Sequence, residues 1–457
     1  MGTVGLSFGS ATSGTGFDVA ATVTSILAIS QAIETPWQTQ LTALQAQDTA
    51  LSGIGTNLSS LTTDVTALMD PQGVMASKQG SSSDTNVLSL SSASSLAVAG
   101  SHTVTVSKLA QTSSEYSDQI TNATDTLSGS LTIQIGTGTA QTIPLDSTNN
   151  TLQTLAAALN SGNYGVTASV VSSATGLRLS LVSNNSGAAS QITLTPSLTD
   201  TTTGTKIGFT VGQLGQDAVL NVDGLGTTSA SNTVTDAIPG VTFQLLSTAA
   251  STPVQIQITN DNSSIETAVQ QMVTDYNSVI NAMKTQEGNT SAGAAEPLYG
   301  SPTISLIQEQ LASSLFSGVA SGSMNNIGQL GIAVNSDGTL TLTTSTLDSV
   351  LNSNYSDVQG YLQNAGSFGQ TLATALNTLG TASPTGAVSL ALAQNSTEEA
   401  GLNTDITNEN TAIAVQKTSL TTELNSANQI LQSIPQQLNA VNEIYSAMSG
   451  YNNSTTG

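Results

Sequence analysis

The chain has 457 residues, 6 Lys and Arg against 29 Asp and Glu, and a net charge of −23. That acidity opposes binding to nucleic acids and insertion into anionic membranes. No cysteine is present and His102 is the only histidine, which excludes disulfides, thiolate nucleophiles and sites with two imidazoles. At roughly 150 residues per domain, the length predicts about three domains. We expect no metal, no cofactor and no enzymatic activity.

The amino-terminal region predicts a helix behind a Gly-, Ser- and Thr-rich leader. Asp18 can cap this helix, and the apolar residues that follow it have helical spacing. Pro36 predicts a break. The first basic residue is Lys78, so no secretory signal peptide is expected. The apolar residues of the helix are Val19, Val23, Ile26, Leu27 and Ile33.

A stripe of apolar residues with alternating spacings of three and four follows this break. This heptad pattern is typical of helices that pack along one face. It indicates either an ordinary bundle core or packing between subunits, and we expect it to bind a partner helix. This first stripe consists of Leu51, Ile54, Leu58, Leu61, Val65 and Leu68.

The middle of the chain alternates apolar and polar residues with period two, which predicts strands. Segments 102–109, 130–135, 166–171, 177–182 and 191–195 all have this pattern, and TLQTLAAALN at 151–160 is a short helix. A second group of strands is expected over 218–259. The fold class is therefore α+β and multidomain, with terminal helices forming a coiled-coil or helix-bundle leg around inserted β-rich head domains.

Helical patterns return at Ser263, which with Glu266 is expected to form a capping box. A second helix is predicted over 303–316 and a hairpin over 332–342, with its turn at Asp337 and Gly338. Glu398 and Glu399 are expected to be solvated charges.

The carboxyl-terminal region again has strict heptad spacing, and we expect it to bind partners. Pro435 lies within it and predicts a kink. This C-terminal stripe consists of Leu420, Leu424, Ala427, Leu431, Ile434, Leu438, Val441, Tyr445 and Met448. The two ends of the chain are expected to lie against each other or against neighbouring molecules.

Several segments resemble the flagellar filament cap protein family, also called hook-associated protein two. They are GTGFDVAATVTSIL at 14–27, the region from DPQGVMASKQG to KLAQ at 70–111, NTVTDAIPGVT within 215–245, MVTDYNSVI at 272–280 and IGQLGIAVNSDGTLTL at 327–342. The unit at 130–195 resembles the small module inserted in flagellins and their caps.

The resemblance implies a secreted, non-enzymatic assembly factor at the distal tip of the bacterial flagellum. Its partners would be further copies of itself, flagellin, hook–filament junction proteins and an export chaperone at the C-terminal helix. Export would use the flagellar type III route without a cleaved signal peptide. The alternatives are another axial protein, such as flagellin or a junction protein, and a secreted β-rich adhesin or enzyme.

The expected domains follow from these patterns and from the resemblance. Each outer domain is built from two separate parts of the chain, because the inner domains are insertions. The domains are terminal helical segments at 1–36 and 421–457, a helical leg with a hairpin at 37–75 and 263–420, a β-rich domain at 76–111 and 212–262, and an inserted module at 112–211.

Overall fold

A computed structural model of the chain describes residues 15–381 and 384–449. Helices at both ends bracket β-sheets, which confirms the expected α+β class. None of the helices in these two ranges has an apolar stretch long enough to cross a membrane. The helices are α1 Val19–Met69, α2 Leu152–Ser161, α3 Asn262–Gln286, α4 Pro302–Leu315, α5 Thr344–Ser353, α6 Tyr355–Gln363, α7 Phe368–Leu379 and α8 Ala387–Ser449.

The strands lie between α1 and α3, except for one hairpin. They are β1 Lys78–Ser82, β2 Leu88–Ala93, β3 Gly100–Lys108, β4 Thr112–Ser117, β5 Leu127–Ile135, β6 Gln141–Pro144, β7 Val166–Ser173, β8 Gly176–Ser186, β9 Ile192–Asp200, β10 Lys206–Ile207, β11 Phe209–Gln213, β12 Ala218–Val222, β13 Leu225–Ser229, β14 Thr233–Ile238, β15 Val241–Leu245, β16 Ala249–Asn260, β17 Ile332–Val334 and β18 Leu340–Leu342.

The chain forms two compact units. One is helical and contains the described residues up to Thr66 and from Val269 onward, and the other is the β-rich unit Ala67–Ala268. The helical unit is therefore discontinuous in sequence, with the β-rich unit inserted into it. This arrangement agrees with the expected fold class, in which terminal helices bracket β-rich domains.

The β-rich unit contains two separate hydrophobic cores. In one, a five-stranded sheet, β1-β16-β3-β12-β13, packs with the three-stranded sheet β14-β15-β2 around residues such as Val104, Phe243 and Ile256. In the other, the sheets β10-β9-β5-β6 and β11-β4-β8-β7 share a core with α2, which contributes Leu155 and Leu159. All five strands expected from period two are present, because alternation places one face of each strand in a core.

The expected break of α1 at Pro36 is wrong, whereas the kink expected at Pro435 of α8 stays a prediction. α1 continues through Pro36, and α8 continues through Pro435. A proline inside a helix costs about 3 kcal/mol, since one backbone hydrogen bond is lost and the ring crowds the preceding turn. In α1 this cost is offset by apolar side chains buried on both sides of Pro36, among them Leu27 and Leu44.

The start of α3 is capped differently from the expected capping box. The side chain of Asp261 accepts a hydrogen bond from the Ser264 backbone N–H over 3.2 Å, so Asp261, and not Ser263, caps the helix. α3 buries one apolar face, because Val269, Tyr276 and Met283 are each at most 2% exposed. The hairpin β17–β18 also forms, and only Gly338 of its two expected turn residues has a positive φ, of 82°.

The sequence interpretation missed α5, α6 and α7. These helices have 9 to 12 residues, too few to display several repeats of a helical pattern. The start of α7 nevertheless carries a local signal, since the Ser367 hydroxyl accepts a hydrogen bond from the Gln370 backbone N–H over 3.2 Å.

Candidate interaction surfaces of the helical unit

The amino-terminal part of α1 lies antiparallel to α8. The Phe17 backbone N–H donates to Oδ1 of Asn428 over 2.9 Å, and the Ser30 hydroxyl donates to Oε1 of Gln416 over 3.4 Å. Further along α1, Asp48 accepts a hydrogen bond from Nδ2 of Asn395 over 2.7 Å. The residue numbers rise on one helix as they fall on the other. The two terminal helices therefore lie against each other, as expected.

Apolar side chains fill part of this α1–α8 contact. Val23 and Leu27 of α1 and Ile413 of α8 form a buried cluster, and Leu420 and Leu424 pack against it. The first two residues of the C-terminal stripe are therefore used inside the chain.

The first stripe is buried within the chain along its whole length. Leu58 and Leu61 are 0% exposed, and the other four members are at most 2% exposed. Nearby, Nδ2 of Asn57 donates to the Ser278 carbonyl of α3 over 3.4 Å. The expectation that Leu51, Ile54, Leu58, Leu61, Val65 and Leu68 bind a partner is corrected accordingly, because their side chains form intrachain core.

The C-terminal stripe changes its environment along α8. Leu431 and Ile434 are partly buried, like Leu420 and Leu424. Beyond them Leu438 is 46%, Val441 60% and Tyr445 71% exposed. The last part of the stripe is thus an apolar helix face that no described residue covers.

Other apolar side chains of α1 and α8 are also exposed. The sequence interpretation did not single them out as binding residues. Ile430 and Ile444 of α8 are 63% and 61% exposed, and Ile29 and Ile33 of α1 are 67% and 52% exposed. Ile33 was expected on the packed face of the first helix. The only signal for the α8 pair is that they lie one position before stripe residues.

Three buried carboxylate oxygens in the described helical unit have no hydrogen-bond partner. They belong to Glu34, Asp64 and Glu399. Glu399 was expected to be solvated, yet it lies within α8 and one of its oxygens is buried. Burial, with a further contribution from the facing carboxyl group of Asp275, raises the pKa of Asp64 to about 6.

The single histidine is engaged in the β-rich unit. Nδ1 of His102 lies 2.7 Å from Oδ2 of Asp223, whose Oδ1 accepts the Thr103 backbone N–H over 2.7 Å. These bonds hold the pKa of Asp223 below its usual value. Asp223 has a φ of 52° and, with Gly224, forms the turn between β12 and β13. His102 thus has a structural partner in this turn.

No part of the described chain assembles three or more metal-ligating side chains. A cavity of about 390 Å³ in the inserted module is lined by uncharged residues that include Tyr164, Asn163 and Gln141. The geometry of the helical unit is that of paired helices with an uncovered apolar end, which suits association with other helices.

Two protein-family models match this chain and show which family it belongs to. The model of the flagellar hook-associated protein 2 C-terminus matches residues 215–453, and that of its N-terminus matches residues 15–113. This chain belongs to the flagellar hook-associated protein 2 family. The family consists of structural flagellar cap proteins and not of enzymes.

Individual members of the family show the same relationship. The chain is 28% identical over 320 residues to the B-type flagellar hook-associated protein 2 of Pseudomonas aeruginosa, covering 64% of this chain and 67% of that one. It is 30% identical over 285 residues to flagellar hook-associated protein 2 of Escherichia coli K12, covering 57% of this chain. The alignment spans only 61% of that relative's length.

A solved hook-associated protein 2 has the same fold. The crystal structure of the D1-D2-D3 domains of the flagellar cap protein FliD from Escherichia coli matches with a TM-score of 0.58 and 27% identity. The match covers 76% of this chain and 99% of that one. The similarity therefore includes both helical and β-rich parts.

Proposed function

We propose that this protein is the cap of the flagellar filament, which oligomerises at the distal tip and guides folding and insertion of exported flagellin. The observation that carries the proposal is the pair of family models, which together span the terminal helices and the β-rich region up to the inserted module. The role is one of positioning, because a cap that confines an arriving subunit raises its effective concentration at the growing end.

The C-terminal stripe is the proposed partner surface. Its exposed end, Leu438, Val441, Tyr445 and Met448, offers apolar area without charge, and such area favours association when it leaves water. We assign to the helical unit contacts with further copies, with flagellin and with hook–filament junction proteins. An export chaperone would cover the same C-terminal helix before assembly.

The proposed route to the tip is flagellar type III export, in which the chain travels unfolded and is secreted. The chain contains no cysteine, so no disulfide can lock a structure before export. Its 8% of charged residues also leaves few ion pairs that would hold the legs in one position on the filament.

Deletion of the gene tests the cap function. We expect cells that keep their hooks, have short or absent filaments and release flagellin into the medium, with filaments restored by the gene on a plasmid. Tagged protein should appear at filament tips. Normal filaments after deletion would exclude the cap function, and label along the whole filament would instead identify another axial component.

A further inference from the structure

The helical unit carries a second uncovered apolar face, on the amino-terminal half of α1. We call Ile29, Ile33 and Trp37 the outer α1 stripe. Ile29 is 67% and Ile33 52% exposed, while Trp37, the only tryptophan, is partly buried. Their spacing of four residues places them within about 80° of one another on a helix that turns about 100° per residue.

The α8 helix of the same chain packs on another side of α1. Leu27, which contacts α8, is 4% exposed and lies about 200° around the helix from Ile29. Hence Ile29 and Ile33 face away from the contact that holds α1 to α8, whereas Trp37 lies about 80° around the helix from Leu27, on the side of the stripe nearest that contact. Among the described residues, none buries Ile29 or Ile33.

The exposed end of the C-terminal stripe lies beyond the described contacts of α1. Gly16 and Phe17 lie beside Asn428 and Gln432. Leu438 comes more than one helical turn after Gln432, and exposure rises from 46% at Leu438 to 83% at Met448. The upstream part of this stripe already packs on α1 through Leu420 and Leu424. Its exposed end continues a surface that is built to contact a helix.

Charge indicates which partner fits these two faces. Two copies with a net charge of −23 repel each other least when they meet at surfaces without carboxylates. Residues 19–33 of α1 and residues 424–442 of α8 contain no charged residue. Both uncovered faces therefore lie mainly in charge-free segments of an acidic chain, and this favours contact between copies over contact with a basic partner.

We propose that the exposed end of the C-terminal stripe in one copy packs on the outer α1 stripe of a neighbouring copy. This contact deepens the proposed function, on which it rests, by naming the surfaces through which copies associate. It joins two different surfaces, so each dimer still has one free stripe of each kind and can add further copies until a ring closes.

The test uses two full-length double variants that each remove one stripe. I29Q/I33Q removes the outer α1 stripe, and V441Q/Y445Q removes the exposed end of the C-terminal stripe. Glutamine is chosen because it forms helices well and these positions are exposed. L390Q/V415Q is the control, since Leu390 and Val415 are 56% and 67% exposed on α8 and belong to neither stripe. Circular dichroism verifies that each variant is folded.

Sedimentation velocity and Trp37 fluorescence provide the measurements. Wild type and control should associate as concentration rises, with a blue shift of Trp37 emission as the neighbour's α8 covers it. Each double variant alone should associate at least about tenfold more weakly, the effect of losing about 1.4 kcal/mol. An equimolar mixture of the two variants should form a dimer and nothing larger, because only one complementary pair of stripes remains.

The other outcomes separate this proposal from the cap function. Variants that associate like wild type would refute these surfaces and leave self-association intact. If each variant alone loses self-association and their mixture forms no dimer, like stripes meet each other, contrary to the proposal. Wild type that stays monomeric at every concentration would refute the contact, whereas the deletion phenotype tests the cap function separately.

Discussion

Phe17 and Asn428 are joined by a hydrogen bond of 2.9 Å although 411 positions separate them in the sequence. The bond is possible because Gly16, with a φ of +67°, lets the backbone approach the carboxamide, with which a Cβ would collide. The start of α1 is thereby tied to α8 before its first apolar contact at Val19 and Val23.

Asn428→Ala should weaken this tie. The Phe17 N–H would lose its acceptor, at a cost of about 1 kcal/mol. We expect faster amide exchange at Phe17 and in the first turn of α1, with little change at Leu58. The exposed Asn425 offers the control Asn425→Ala, and equal effects of both variants on Phe17 would contradict the role of this bond.

Leu58→Ala tests the finding that the first stripe is intrachain core. Leu58 is 0% exposed, so truncation should leave a cavity and lower the free energy of unfolding of the helical unit by about 3 kcal/mol. Urea unfolding followed by circular dichroism measures the loss. Val415→Ala, at a position 67% exposed, should cost much less.

Asp64→Asn should stabilise the helical unit at neutral pH. The pKa of Asp64 is raised from 3.8 to about 6, so the folded state is penalised for holding this charge above pH 6 and recovers stability as pH falls from 7 to 4. After allowance for partial exposure, we expect a gain of about 1 kcal/mol at pH 7 and a flatter pH dependence.

Asp405→Asn is the matched control for Asp64→Asn. It removes the same charge from an exposed position on α8. Urea unfolding of both variants at about pH 4 and pH 7 distinguishes two causes of stabilisation. One is removal of the partly buried Asp64 carboxylate, and the other is the general reduction of negative charge. Equal gains at pH 7 would show that Asp64 has no special role.

Asp223→Ala should destabilise the β-rich unit by about 1 kcal/mol or more. It removes the acceptor of the Thr103 N–H and the partner of His102, and alanine tolerates a φ of 52° poorly. Asp223→Asn keeps an acceptor and the turn preference, so it should cost less. Thermal unfolding of the two variants compares them, and the reverse order would contradict this reasoning.

A chain that ends at Thr421 should fail to attach to filament tips or to support filament assembly. It lacks the C-terminal stripe from Leu424 onward, whereas every residue of the β-rich unit remains. Complementation of the deletion strain measures function, and protease resistance of the β-rich unit verifies folding. Normal filaments with this truncation would show that the stripe is dispensable.

Much of the secondary structure could be predicted because it depends on local spacing. The strand over 166–171, the helix over 151–160 and the hairpin at 332–342 all form close to their expected positions. α5, α6 and α7 were missed because short helices show too few repeats. The sequence could not tell that Leu58 is buried and Tyr445 exposed, since both lie in stripes with the same heptad spacing.

The sequence by itself determined which face of each helix and strand is apolar, because side chains project with the fixed period of the backbone. Its composition also excluded disulfides and sites with two histidines. Only the tertiary structure decided which apolar faces are covered. That depends on contacts between segments far apart in the sequence. The pairing of α1 with α8 buries Leu27, the core of the helical unit buries Leu58, and Ile29 and Tyr445 stay exposed. The continuity of α1 through Pro36 likewise depends on tertiary packing that outweighs a local cost.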